Sequence, residues 1–232
     1  MGSLPASTAR REGAQWTVQE RIVCWQCGAE PAPGLFCSAC QAIQPLPEQA
    51  DYFEVLGVPR RLVVDSGLLQ RRYYELHRCL HPDRYQIAAQ AARVASLRNT
   101  ATVNRAYRTL RDLVDRGLYW LTLQGESLGA DNNRVPPELA ALVFEIQEQL
   151  EELRAARRAA SDSASVVAML RTARTSLRQR ETTLLHQLEE NFASWDAGAA
   201  DPAALRQQLK ATLSALAYLR TLLRDVDKEL ES

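Results

Sequence analysis

LHRCLHPDRY, from Leu76 to Tyr85, breaks an arginine-studded helical pattern with a His81-Pro82-Asp83 corner. Upstream, Leu68, Leu69, Tyr73, Leu76 and Leu80 recur at three- and four-residue steps and give one apolar helix face, with Arg71, Arg72 and Arg78 off it. Pro82 has no amide donor and disfavours helical geometry at the residue before it, so the helix is predicted to end at Leu80 or His81. His81 and Asp83 then lie on an exposed loop beside the arginines. Taken alone, the corner reads equally as a helix stop followed by a turn.

Its surroundings sharpen that reading. Asp51 is a predicted N-cap for a short helix carrying Tyr52, Phe53, Val55 and Leu56, closed by Gly57 and Pro59. Asp65 caps the longer helix that runs to Leu80, and a further helix follows from about Ala88 to Leu110. These two are expected to pack antiparallel, with Val94, Leu97, Val103, Tyr107 and Leu110 facing Leu69, Tyr73, Leu76 and Leu80. Tyr85 and Ile87 are the expected anchors of the far side of the loop. The order helix, helix, HPD loop, helix resembles the J-domain of DnaJ-type co-chaperones.

Toward the N-terminus, Cys24-Trp-Gln-Cys27 and Cys37-Ser-Ala-Cys40 are separated by nine residues, GAEPAPGLF. Two CxxC turns supply four thiolates for a tetrahedral metal, and Gly28, Pro31, Pro33 and Gly34 suit the tight loop between them. The segment has too few apolar residues to fold without metal, so structural zinc is the expected cofactor. A pair of disulfides or a redox CxxC are the competing readings. A closed four-thiolate site leaves no position for water or substrate, which makes the metal a scaffold. No basic residue occurs from Val23 to Gln49, so a phosphate-binding surface for nucleic acid is not expected there. Trp25 and Phe36 are expected to cover the metal or a neighbour. Cys79, in the helix before the corner, reads as an inert thiol.

Composition sets outer bounds. Over 232 residues the 28 basic and 28 acidic side chains balance, so no net field draws the molecule to nucleic acid or acidic lipid. No apolar run approaches the roughly 20 residues that span a bilayer, and a membrane partner is not expected. Residues 1–20 lack the apolar core of a secretory signal and read as a disordered tail, with Glu12 and Glu20 weakening a mitochondrial presequence.

Downstream, Leu113–Leu123 (LVDRGLYWLTL) is a short apolar helix that must bury Leu118, Trp120 and Leu121 and reads as a bridge between domains. From Pro136 onward three stripes follow. They run through Leu139, Val143, Ile146, Leu150 and Leu153; through Val166, Leu170, Leu177, Leu184, Leu188 and Phe192; and from Leu205 at heptad-like steps to Leu230. An antiparallel three-helix bundle with a coiled-coil seam is predicted, its last helix opened by Asp201-Pro202. His186 reads as a solvated or structural histidine. The fold class is all-α, divided into a tail (1–20), a tetracysteine module (21–45), a J-domain-like hairpin (50–125) and a helical bundle (134–232).

The three pieces in this order resemble the HscB-type J-domain co-chaperones of iron–sulfur cluster biogenesis, long form. The residues that carry the likeness are DYFEVLGV (Asp51–Val58), HPDRY, NRAYRTL (Asn104–Leu110), RGLYWLTLQG (Arg116–Gly125) and the cysteine array. The resemblance implies a protein that is not itself an enzyme. It implies a chaperone-binding surface, His81, Pro82 and Asp83 with Arg71, Arg72 and Arg78, that stimulates the ATPase of a DnaK- or HscA-type chaperone. It also implies a scaffold-binding surface for IscU at Phe144, Glu145, Glu148, Glu152 and Tyr218. Ala140 and Ala141 stand where the bacterial type has larger apolar residues, which weakens that second expectation. The implied metal is structural zinc on Cys24, Cys27, Cys37 and Cys40, and the implied compartment is a bacterial cytoplasm, with the mitochondrial matrix as alternative. A homodimer stays open. A general J-protein for unfolded clients and a zinc-ribbon and coiled-coil adaptor without chaperone activity are the competing functions.

Overall fold

The computed structural model describes residues 23–30, 34–128 and 139–231. The expected tail at 1–20, together with Pro31, Pro33 and Pro136, lies outside them. Among the described residues there are seven α-helices and no strand, only an isolated antiparallel bridge between Phe36 and Ile43. The all-α expectation holds.

Helix α1 (Tyr52–Leu56) starts where the Asp51 carboxylate accepts from the Phe53 amide and stops at Gly57, whose φ of 61° lets it close the turn. Helix α2 (Ser66–Leu80) is capped by Asp65 through the Leu68 amide. After it, Pro82–Tyr85 form a single 3-10 turn where an open loop was expected. Helix α3 (Gln90–Arg111) then returns antiparallel to α2.

The inner face of α3 agrees with the expected one at Val103, Tyr107 and Leu110 and departs from it at Val94 and Leu97. Val94 and Leu97 point to solvent, and the face turned to α2 and α1 is Ala92, Ala95, Ser96, Asn99, Val103, Ala106 and Leu110. Val103 and Leu110 lie on this face as expected, while its first half is carried by alanines, Ser96 and Asn99. Tyr107 does stack on Tyr73, with ring centroids 4.1 Å apart.

Helix α4 (Leu113–Leu123) is capped by Asp112, which accepts from the Val114 and Asp115 amides. It buries Trp120 and Leu121 as expected, while Leu118 is half-buried. Gly117 sits at the closest approach to the helices that follow; a Cβ there would lie 2.8 Å from Leu213 Cδ2 and 3.1 Å from Phe192 Cζ. A Cβ here would have to displace these buried side-chain ends.

Helices α5 (Ala140–Arg158), α6 (Ala164–Asp196) and α7 (Pro202–Glu231) complete the chain, with Asp201 Oδ1 accepting from the Ala203 and Ala204 amides at the start of α7. Two apolar cores result. One joins α1 to α4 with Ile43 of the cysteine segment and with Leu188, Phe192, Leu205, Leu209, Leu213 and Leu216. The second lies among α5 and the remaining halves of α6 and α7, around Ile146, Leu153, Leu170, Leu177, Leu219 and Val226. The long α6–α7 hairpin thus belongs to both cores. Polar ties reinforce the join: Asp196 accepts from the amides of Leu62 and Val63 at 3.1 and 2.7 Å, and Arg220 holds Asp112 through two 3.1 Å bonds.

Candidate functional site

Leu80 O is the last carbonyl of α2 before the corner and has no helical partner of its own. Ser96 Oγ and Thr100 Oγ1 of α3 both donate to it, at 2.6 and 3.1 Å. Leu80 itself is fully buried. The chain therefore leaves α2 from an anchored point. Beyond it Arg84 N donates to the His81 carbonyl at 3.0 Å, and the Tyr85 hydroxyl reaches back to Cys79 O at 3.2 Å. Tyr85 is thus an anchor, whereas Ile87 is fully exposed and anchors nothing. It follows the 3-10 turn, which points its side chain away from α2 and α3.

On this corner the side chains are presented outward, His81 at 43% and Asp83 at 73% side-chain exposure. His81 Nδ1 lies 3.3 Å from the Asp83 amide and 3.4 Å from its carboxylate. With Nδ1 accepting from the amide, Nε2–H is left as an outward donor; with Nδ1 protonated, it pairs with the carboxylate. The imidazole is backed by a ladder of rings, His77 at 5.5 Å, then Tyr73 at 5.6 Å from His77, then Tyr107. Tyr73 is itself held by a 3.0 Å bond to Asn104 Oδ1. The corner is therefore stiff from its base outward.

Arg71, Arg72 and Arg78 are all exposed on α2. Arg78 is in the last turn beside His81, and Arg71 and Arg72 lie about two turns farther back. Arg72 pairs with Glu75 at 3.2 Å, an exposed pair that leaves its charge available. The His81 and Asp83 side chains face solvent.

The four expected ligand cysteines come together. Their sulfurs lie within 4.8 Å of one another, with Cys24 and Cys40 3.6 Å apart and Cys27 and Cys37 3.8 Å apart. Thiolate–metal bonds of about 2.3 Å in a tetrahedron require sulfurs about 3.8 Å apart, so the residues fit a metal ion. Two matching turns build the site. Cys24 N donates to Ala29 O and Gly28 N to Cys24 O; Cys37 N donates to Ala42 O and Gln41 N to Cys37 O. Each turn needs a left-handed residue, supplied by Gly28 at φ 69° and by Gln41 at φ 61°.

Without metal, these thiols split. Burial works to raise the Cys24 value, but the Cys27 and Gln26 amides and the neighbouring thiols outweigh it and bring it down to about 6. At Cys40 the Ala42 amide pulls down, but burial and the other three thiols push it up to about 12. Four close thiols do not ionise together unless a cation compensates them. Gln44 donates to Cys24 Sγ at 3.3 Å, and Trp25 Nε1 donates to Ile43 O at 2.6 Å, so the tryptophan closes the module over its own second turn.

The module is docked on α3. Asn99, fully buried, donates to Gln44 O at 2.7 Å and accepts from Leu46 N at 3.0 Å. Sequence reasoning missed Ser96, Thr100 and Asn99. Their signal was present as polar residues interrupting a stripe of alanines on α3.

On α5, Phe144 is 73% exposed, and Glu145, Glu148 and Glu152 follow it at helical spacing on the same exposed face. Ala140 and Ala141, one turn earlier, are exposed as well. Tyr218 belongs to α7 and is half-buried against the second core, so its ring is not free in the way that of Phe144 is.

No family model matches the chain. Among curated proteins it is 29% identical over 166 residues to the iron–sulfur cluster co-chaperone protein HscB homolog of Arabidopsis thaliana, covering 72% of this chain and 63% of that protein. It is 37% identical over 133 residues to the iron–sulfur cluster co-chaperone protein HscB of Mus musculus, covering 55% and 56%. The human counterpart is 34% identical over 134 residues, covering 56% and 57%. These curated relatives are HscB co-chaperones. The matched segment spans less than two thirds of the length of each. Among solved structures, human HscB aligns with a TM-score of 0.69 at 24% identity, over 89% of this chain and 98% of that one. HscB from Vibrio cholerae aligns at 0.55 and 25% identity, over 78% and 99%. The HscB likeness thus extends from the sequence to the arrangement of the helices. Among the described residues no helix is long and apolar enough to cross a membrane.

Proposed function

We propose that this chain is a co-chaperone of iron–sulfur cluster assembly that stimulates a DnaK- or HscA-type ATPase and brings an IscU-type scaffold to it. The observation that carries the reading is the anchored corner: His81, Pro82 and Asp83 stand outward on a 3-10 turn whose base, Leu80 O, is held by Ser96 and Thr100. A rigid polar tip loses little conformational entropy on docking, so its contacts count nearly in full. Arg71, Arg72 and Arg78 supply the cationic footing that steers the tip to an acidic surface. The chain itself hydrolyses nothing; the chaperone supplies the catalytic groups.

In this reading residues 50–125 act as the J-domain and residues 134–232 as the scaffold-binding bundle. Phe144, Glu145, Glu148 and Glu152 form the scaffold surface, an exposed aromatic ringed by acids, as interface anchors are. Tyr218 contributes from the edge. Because α6 and α7 share a core with the J-domain-like helices, a scaffold held on the bundle is delivered at a defined distance from the corner. The tetracysteine module, residues 21–45, holds structural zinc on Cys24, Cys27, Cys37 and Cys40; four sulfurs in a tetrahedron suit zinc, and the closed site leaves no reactive position. The expected compartment is a bacterial cytoplasm, with the mitochondrial matrix as the alternative.

Single-turnover ATP hydrolysis by the cognate chaperone tests this, with the chain and the scaffold added separately and together. Stimulation that increases with scaffold and is lost in His81→Gln is expected. Stimulation indifferent to the scaffold would make the chain a general J-protein, and none at all would leave the corner a plain turn.

A further inference from the structure

A cleft of about 390 Å³ opens between the first turn of α2, the end of α3 and α4. Its first-turn end lies some 20 Å along α2 from His81 and adjoins Arg71, whose Nη1 would be 3.4 Å from a Cβ at Gly67. Ser66, Gly67, Tyr74, Tyr107, Arg111 and Arg116 line it, so its charged lining groups are both guanidiniums. In the first turn of α2 the Leu68 amide is taken by the Asp65 carboxylate and the Leu69 amide by the Asp65 carbonyl, and that carboxylate lies beside Gly67 at the edge of the cleft, so the helix end is already capped and the guanidiniums are the groups that face an anion.

The decisive residue is Arg116. It is only 7% exposed, its Nη1 donates to Leu110 O at 2.8 Å, and its Nε is buried without a partner. The carboxylates whose field reaches it are Asp112, Asp196 and Glu189. Each is engaged elsewhere: Asp112 by Arg220, Asp196 by the Leu62 and Val63 amides, and Glu189 beside His186. The guanidinium instead rests over the Phe192 ring, 5.5 Å from its centroid. A buried cation without a counter-ion in contact is costly, and an anion in the cleft removes that cost. At the mouth, Arg111 is set over the Tyr107 ring at 5.9 Å, which orients a second guanidinium on the same space.

We propose that this cleft binds a phosphoryl group, as free phosphate or as the phosphate of a nucleotide. Two guanidiniums, two phenol hydroxyls and the Ser66 hydroxyl offer more donors than the two oxygens of a carboxylate can use. The oxygens and double charge of a phosphoryl group match them.

The test is calorimetric titration of the whole chain with inorganic phosphate, at constant ionic strength in a phosphate-free buffer, with phosphorus NMR line broadening as a second readout. ATP and adenosine are titrated in parallel. Phosphate is expected to bind with Kd on the order of 1 mM or tighter. Arg111→Gln is expected to weaken it by about tenfold or more, with the helical circular dichroism unchanged. Tyr74→Phe, at a more exposed position, gives a smaller loss and serves if Arg111→Gln disturbs the fold. ATP binding tighter than phosphate, with adenosine silent, identifies a nucleotide; equal affinity identifies free phosphate. Absence of binding, binding unchanged in both variants, or adenosine binding as well as ATP overturns the assignment.

Discussion

The Ser96 hydroxyl lies 2.6 Å from the Leu80 carbonyl, one residue before the His81-Pro82-Asp83 corner. This bond, with that of Thr100, replaces the helical partner that Leu80 O lacks, because the Arg84 amide donates to His81 O in the 3-10 turn instead. Ser96→Ala combined with Thr100→Val strands a buried carbonyl and is expected to destabilise the protein by about 1–3 kcal/mol in urea unfolding. It should also lower chaperone stimulation more than an equally destabilising change in the second core, such as Leu170→Ala. Equal loss in the two variants would show that the anchor acts through stability alone.

Removal of Asn99 cuts the tie between the cysteine module and α3. Asn99→Ala deletes the bonds to Gln44 O and Leu46 N and is expected to cost about 1–3 kcal/mol. Hydrogen exchange at the Leu46 amide should rise while that of α5 stays as it was. An unchanged Leu46 amide would mean the module is held by Ile43 and the apolar contacts instead.

Metal removal should act locally. Stripping the tetracysteine site with a chelator is expected to release one metal per chain and to loosen residues 24–44, leaving the helical circular dichroism of α2 to α7 largely intact. Affinity should fall as pH is lowered, because thiolates are the ligands; Cys40, held up near 12 without metal, must release its proton on binding. Metal content independent of pH between mildly acid and neutral conditions would contradict a four-thiolate site.

Acid stability should report on the Asp112–Arg220 pair. Burial alone would raise the Asp112 carboxyl, but the Arg220 guanidinium and the Asp115 and Val114 amides hold it below the usual value. A depressed folded value means a contribution present above the unfolded pKa and lost as pH falls through the folded one. Asp112→Asn is therefore expected to lower stability at neutral pH and to flatten its decline below pH of about 4. Because the pair is partly exposed, the effect should shrink in high salt.

Gly117→Ala tests the seat of α4. The added methyl must displace Leu213 and Phe192, and a loss of about 1–3 kcal/mol is expected in equilibrium unfolding. A neutral result would show that those side chains relax freely.

Much of this protein was legible in the order of its residues. The caps at Asp51, Asp65 and Asp201, the stop at Pro82 and the leucine stripes of α5 to α7 are local instructions, enforced by backbone geometry and helical period whatever surrounds them. The paired CxxC turns are local in the same sense. The sequence also placed Val103, Tyr107 and Leu110 on the inner face of α3; what the tertiary structure alone decided is the first half of that face, where alanines, Ser96 and Asn99 turn inward and Val94 and Leu97 outward, because Leu80 O and the cysteine segment offer Ser96 and Asn99 polar partners there. The same holds for Arg116, whose burial against Phe192 depends on α6, a helix whose Phe192 the chain reaches only some 70 residues later. Periodicity reports which residues share a face, but what that face packs against or bonds to is set by its partner.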